Sequence, residues 1–176
     1  TDKKSLFTQR EIGKDTLTVP NALQSAVRQD PNIIMVSEIS DYETLDAVLK
    51  VAETGHLVIA SLLTKNAAQT LERMISMFPQ SQQEQAQNRI ADNLVAILAQ
   101  ALVDKAEGGG RVTVCELLLN SENVPHLIRH GNFAQIHTAI QSGQSQGMVT
   151  MEGFAQKLAA EGVITEEVAN NFREND

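Results

Sequence analysis

Two short apolar runs, Ile33-Ile34-Met35-Val36 and the stretch from His56 to Leu63, are separated by one helical pattern, and this alternation constrains the fold more than any other feature. Runs of this length, bounded by turn signals, read as strands buried on both faces of a sheet. Between them Asp41 is placed as an N-cap, Leu45, Val48, Leu49 and Ala52 recur at helical spacing, and Gly55 marks the stop. A strand, a helix and a second strand in this order imply parallel pairing through a crossover. Ser5 to Ile12 reads as an additional strand. Pro20, just after Thr18, opens a helix through Arg28 that turns Ala22, Leu23, Ala26 and Val27 inward. Asn66 caps a further helix whose Leu71, Met74 and Ile75 precede the break at Pro79. In such sheets ligands bind beyond the carboxyl ends of the strands, where Glu38 and the residues after Leu62 fall.

The middle of the chain changes character. Ser81 to Leu102 reads as one long helix, glutamine-rich at its start and carrying a later stripe of Leu94, Ile97, Leu98 and Ala101. Val103 to Leu119 then folds back through Gly108-Gly109-Gly110 as an antiparallel hairpin. No helix start follows the three glycines, so they read as a turn and not as a phosphate nest. After Ser121 the pattern gives short helices near 122–130, 132–142, 150–161 and 165–172, with Thr150 and Thr165 as caps and Glu166 and Glu167 in a first turn. The fold class is therefore α/β: a largely parallel sheet with flanking helices and a hairpin over residues 1–119, and a helical subdomain over 120–176.

Charge and composition remove several functional classes. The 176 residues carry 14 basic and 22 acidic side chains, a net charge of −8, which opposes a general nucleic-acid surface. Tryptophan is absent and aromatics make up 3%, so base-stacking platforms are missing. The single cysteine, Cys115, excludes an internal disulfide, fits a reducing compartment and reads as a small core residue. No run approaches the length of a membrane span, and TDKKSLFTQREIGKDT lacks the apolar core of a signal peptide. The expected location is the cytosol, without membrane insertion.

An acid at the end of a buried strand suits phosphoryl transfer, in which a carboxylate orients a water or helps hold magnesium beside a terminal phosphate. That chemistry needs a phosphate cradle of the form G-x-x-x-x-G-K-S/T, and the chain has none. Its nearest echo is Gly13-Lys14, but Thr8 occupies the first glycine position and Asp15 replaces the hydroxyl; the segment reads as a polar turn. Taken alone, Glu38 fits a strand-end carboxylate capping a neighbouring helix, and His56 fits a structural histidine. His126, His130 and His137 would share a helix face only if the helix ran through Gly131, and they read as surface residues with no metal site. Met74, Met77, Met148 and Met151 read as core fillers.

Context changes the weight of Glu38. DPNIIMVSEISDYETLDAVLKVAETGHLVIASL, followed by TKNAAQTLERMISMFP, resembles the bacterial secretion ATPase superfamily, specifically the PilT-like retraction motors of type IV pili. Those motors carry phrases such as DPDVILVGEMRDLET and AAETGHLVFGTLHT. The likeness continues through GGGRV, LIR and AIQSGQSQGM and so spans nearly the whole chain. It implies a partial RecA-like P-loop ATPase core, with ATP and Mg2+ as nucleotide and ion, and with the phosphate loop upstream of these residues. Glu38 aligns with the catalytic glutamate of the Walker B strand, while Ser37, His56 and Thr64 fall near the nucleotide and Leu127, Ile128 and Arg129 fall in the phrase linked to force coupling. The implied partners are further copies in a homo-hexameric ring and an inner-membrane pilus platform protein, with the ring peripheral to the cytoplasmic face.

The sequence departs from that pattern at several places. Ser37 replaces a glycine, Ser40 an arginine, Leu63 the second histidine of LHT, and Pro125 an arginine. Loss of the imidazole at Leu63 removes a group able to couple phosphate state to the sheet. These departures motivate a second reading, in which the chain is a non-catalytic paralogue that assembles with an active motor and modulates it.

Overall fold

The computed structural model describes residues 4–121 and 123–173. By packing the chain forms two compact units, Thr1–Leu62 and Leu63–Asp176.

The first unit is built from α1 (Val19–Val27), β1 (Ile33–Val36), α2 (Tyr42–Glu53) and β2 (Leu57–Ala60). Thr18 caps α1 by accepting from the Asn21 amide, and Pro20 occupies the first turn, where its missing N–H costs nothing. Asp41 caps α2, its Oδ1 accepting from the Thr44 amide at 2.7 Å. β1 and β2 pair in parallel, with Ile33 beside Leu57 and Val36 beside Ala60. Helices α1 and α2 pack on each other, and Leu23, Ile34, Val36, Leu45, Val48 and Leu49 form the buried face.

The strands are not buried on both faces, as their runs predict. Ile33 is 58% and Met35 78% exposed, and Leu57 and Ile59 are exposed beside them. Parallel strands with apolar residues at every position are matched to cover on two sides, and among the described residues of this unit the helices cover one. β2 is also shorter than the run from His56 to Leu63 suggests. Among the described residues Ser5 to Ile12 forms no strand: Leu6 and Phe7 are exposed, and a single bridge runs from Ile12 to Thr16. The turn that this bridge closes is the polar one read at Gly13–Asp15, with Gly13 at φ +86°.

The second unit contains α3 (Ala67–Ser76), α4 (Gln83–Asn93), the antiparallel pair β3 (Ala96–Asp104) and β4 (Arg111–Leu119), and the short helices α5 (Val124–Arg129), α6 (Ile136–Ser142), α7 (Met151–Ala160) and α8 (Glu166–Asn170). The single long helix predicted from Ser81 to Leu102 is instead a helix and a strand. α4 stops at Asn93, and from Ala96 the burial alternates with period two. Ile97 and Ala99 point inward while Leu98 and Leu102 are exposed, so the apolar residues that look like a helical stripe belong to a strand read through both of its faces. The break is held by Asn120 across the sheet, whose Nδ2 donates to the Ala91 and Leu94 carbonyls at 2.9 and 2.8 Å. These are the carbonyls that the end of a helix leaves without partners.

The hairpin forms where the glycines predict it, with Asp104 opposite Arg111 and Gly108, Gly109 and Gly110 all at positive φ. Val114, with Ala155, Ile164 and Ala169, forms a core between β4 and the helices α7 and α8. Thr150 and Thr165 cap those two helices as their positions predict. Cys115 is a free thiol on the opposite face of β4, half-buried and beside Gln100 of β3, and is not a core residue.

Candidate functional site

The carboxyl edge of the β1–β2 pair is assembled by hydrogen bonds that run past the last paired residues. The Ile39 amide donates to the Ser61 carbonyl at 2.9 Å, and the Ser61 hydroxyl donates back to the Ser37 carbonyl. These two bonds fasten the residues on either side of Glu38, and Ile39 is buried beneath it. The Glu38 side chain itself is exposed and has no hydrogen bond or ion pair to any described residue. A fixed backbone with a free carboxylate is what a strand-end general base requires.

Next to it, Ser40 donates from Oγ to Asp41 Oδ2 at 3.3 Å. The Thr44 amide, the Thr44 hydroxyl and then the Ser40 hydroxyl hold the Asp41 carboxyl below its ordinary range. Asp41 is thus a capping acid committed to α2, and Glu38 is the uncommitted one.

His56 lies at the other end of the pair. It immediately precedes Leu57, which pairs with Ile33, so six residue steps at about 3.3 Å each separate its level from that of Glu38 by on the order of 20 Å. The parallel register therefore does not bring His56 and Glu38 together. The ring is half-buried, with Nδ1 2.9 Å from Thr54 Oγ1, whose hydroxyl donates to the Val51 carbonyl at 2.6 Å. A hydroxyl has one proton to give, so it accepts from His56, and the neutral ring carries its proton on Nδ1 and its lone pair on Nε2.

Thr64 belongs to the second unit. Its hydroxyl sits 2.7 Å from Thr70 Oγ1, which donates to the Asn66 carbonyl, so Thr64 donates to Thr70 and is part of the α3 capping network. Leu63, at the position of the missing second imidazole, is 89% exposed. Leu127 and Ile128 are buried in the second unit and pack α5 against α4. Arg129 Nη2 pairs with Asp92 Oδ1 of α4 at 2.5 Å, a partner that the sequence reading did not foresee.

One functional-looking acid was missed altogether. Glu116 is 5% exposed, and its Oε1 accepts from the Ala67 amide at 2.8 Å, at the first turn of α3. It borders a cavity of about 400 Å³ lined by Thr64, Lys65, Asn66, Gln100, His137 and Glu152, among others. The signal was available: Val114, Glu116 and Leu118 occupy alternate positions of one strand face, so an acid in that phase must be buried and must find a donor.

Comparison with known proteins decides the family. The family model described as Type II/IV secretion system protein matches residues 8–170. The chain belongs to that family. A "Twitching motility protein" from Neisseria gonorrhoeae is 40% identical over 173 residues, covering 98% of this chain and 46% of the relative. The "Type IV pilus retractation ATPase PilT" of Pseudomonas aeruginosa is 41% identical over 167 residues, covering 95% of this chain and 48% of its own. A crystal structure of the pilus retraction motor PilT with bound ADP superposes with a TM-score of 0.87 at 39% identity, covering 98% of this chain and 48% of the motor. The chain thus spans about half the length of the relatives it matches. The fold is α/β and consistent with part of a RecA-like ATPase domain, and the resemblance to PilT-like motors read from the sequence agrees with these matches.

Proposed function

We propose that this chain is a portion of a type IV pilus retraction ATPase, in which hydrolysis of ATP drives pilus disassembly. The observation that carries this reading is the free carboxylate of Glu38, held by a fixed backbone at the carboxyl edge of a parallel strand pair. It occurs in a chain similar over nearly all its length to an ADP-binding retraction motor. Glu38 acts as general base: it accepts a proton from the attacking water as that water approaches the γ-phosphorus. Ser37 positions the edge through its backbone carbonyl, which the Ser61 hydroxyl holds.

The donor set fits magnesium-bound ATP in part. An exposed carboxylate is a suitable hard oxygen partner for a hydrated Mg2+. The β- and γ-phosphates need amides and a lysine, which a G-x-x-x-x-G-K-S/T segment provides and these residues lack. In this reading the nucleotide is therefore held jointly with such a segment elsewhere in the working protein. His56 does not share the phosphate that Glu38 faces and acts through its Nε2 at the opposite strand end, while Thr64 acts by positioning the start of α3. Residues 127–129 couple the helical part, expected over 120–176, to the nucleotide state through the α4–α5 contact. The working form is a cytoplasmic homo-hexamer, peripheral at the inner membrane and engaged with a pilus platform protein. Among the described residues no helix is long and apolar enough to cross a membrane.

The test is steady-state ATP hydrolysis by the polypeptide that carries both this chain and a phosphate loop. Glu38→Gln is expected to lower kcat by at least ~10²-fold with KM little changed, the size of a lost general base. An unchanged kcat would remove Glu38 from the mechanism, whereas the absence of turnover in the unsubstituted protein would favour the modulatory-paralogue reading, which Ser40, Leu63 and Pro125 motivate.

A further inference from the structure

α5 carries a histidine pair that the family reading leaves unused. His126 and His130 stand one helical turn apart on an exposed surface, with ring centroids 4.1 Å apart and planes tilted by 37°. His130 Nδ1 lies 2.8 Å from the His126 backbone carbonyl. A carbonyl oxygen can only accept, so Nδ1 carries the proton and the neutral ring presents a bare Nε2 lone pair. Metal-bound histidines are commonly prepared in this way: one ring nitrogen donates to a carbonyl, fixing the tautomer and the ring orientation while the other ligates.

The intervening Arg129 is neutralised by Asp92 at 2.5 Å, and the chain as a whole carries −8. The other histidines are differently engaged. His137 Nε2 lies 2.8 Å from the Gln141 amide nitrogen, a pure donor that occupies its lone pair, and His56 has no second imidazole beside it. Among the described residues no group of three His, Cys, Asp or Glu side chains converges, so a metal at this pair would complete its shell with water.

We infer that His126 and His130 form a two-imidazole chelate for a late first-row divalent ion, of the class Cu2+, Ni2+ or Zn2+. Paired imidazole donors with open positions select this class over Mg2+ and Ca2+, which take oxygen ligands. The ion ties the first turn of α5 to its C-cap His130, so occupancy stabilises the helix whose Leu127 and Ile128 pack against α4. This inference is independent of the ATPase reading.

The experiment uses the untagged chain titrated separately with CuCl2, NiCl2 and ZnCl2 by calorimetry, with imidazole nitrogen shifts followed by NMR for the Zn2+ arm. One site is expected, with affinity falling in the order Cu2+, Ni2+, Zn2+. Shifts confined to His126 and His130 are expected, together with a rise in Tm on adding metal. His130→Gln and His126→Gln should each weaken binding by on the order of tenfold or more, because each removes one arm of a chelate. His137→Gln should leave it unchanged, and circular dichroism establishes that every variant is folded. Undiminished affinity in the His126→Gln/His130→Gln double variant, or shifts at His56 or His137 in place of this pair, would overturn the site.

Discussion

The two strand pairs of this molecule use similar apolar residues to different ends. The hairpin β3–β4 is local: nine residues pair with nine through a glycine turn, and helices of the same unit cover the face that carries Val114 and Leu118. The pair β1–β2 is four residues long, joined through a helix, and covered by described residues on one face, with Met35 and Ile59 left exposed. A hairpin carries its register in its turn. A parallel pair depends on what is packed around it.

The most severe way to test this contrast is to remove core volume from the hairpin. Ile128 and Leu118 are fully buried in the second unit, and Leu118→Ala should cost about 2–5 kcal/mol, read as a lowered midpoint in urea unfolding. On the open face of the first unit, Met35→Ala in the same chain should stay within ~0.5 kcal/mol. A large loss at Met35 would mean that this face is covered after all, as a self-associated chain would show through a concentration-dependent Tm.

Glu116 sharpens the comparison at the next level. Glu116→Ala leaves the Ala67 amide buried without its acceptor and should cost about 1–3 kcal/mol, whereas Glu116→Gln keeps an acceptor oxygen and should cost less. Equal losses in the two variants would show that charge, and not the hydrogen bond, is what α3 needs. In the first unit the corresponding acid is Asp41, and Asp41→Ala should cost about 1 kcal/mol as a lost N-cap. Its carboxyl is held below its ordinary value of 3.8, so the folded state binds fewer protons than the unfolded state in that range. Its contribution is present above pH 3.8 and is lost as pH falls through the lowered folded value. Acid titration of stability should therefore be shallower in Asp41→Asn. A small effect is also expected of Arg129→Ala, which removes a half-exposed ion pair and should shift stability by roughly 0.2–1 kcal/mol.

How far the sequence revealed these features follows from the range of the interactions involved. Caps are local, and Asp41, Asn66, Thr150 and Thr165 all act at the positions their neighbours predict. The hairpin was legible for the same reason. The α4–β3 junction was not, because Leu94, Ile97, Leu98 and Ala101 satisfy a helical period as readily as a strand with two apolar faces, and the residue that enforces the break, Asn120, comes from the far strand. At the candidate site Glu38 was legible as a strand-end acid, whereas the separation of His56 was hidden until the parallel register placed it at the opposite edge. Arg129 read as a solvated or coupling cation, since Asp92 lies a helix, two strands and a loop earlier in the chain.

The central claim is that the Glu38 carboxylate takes the proton from the hydrolytic water. A single-turnover measurement on the Glu38→Gln variant of the phosphate-loop-bearing protein, following radiolabelled ATP through quench and filter binding, tests it directly. The account predicts that nucleotide stays bound and uncleaved long after the unsubstituted protein has released labelled phosphate. Cleavage at an undiminished rate would contradict it, and the proton acceptor would then lie elsewhere.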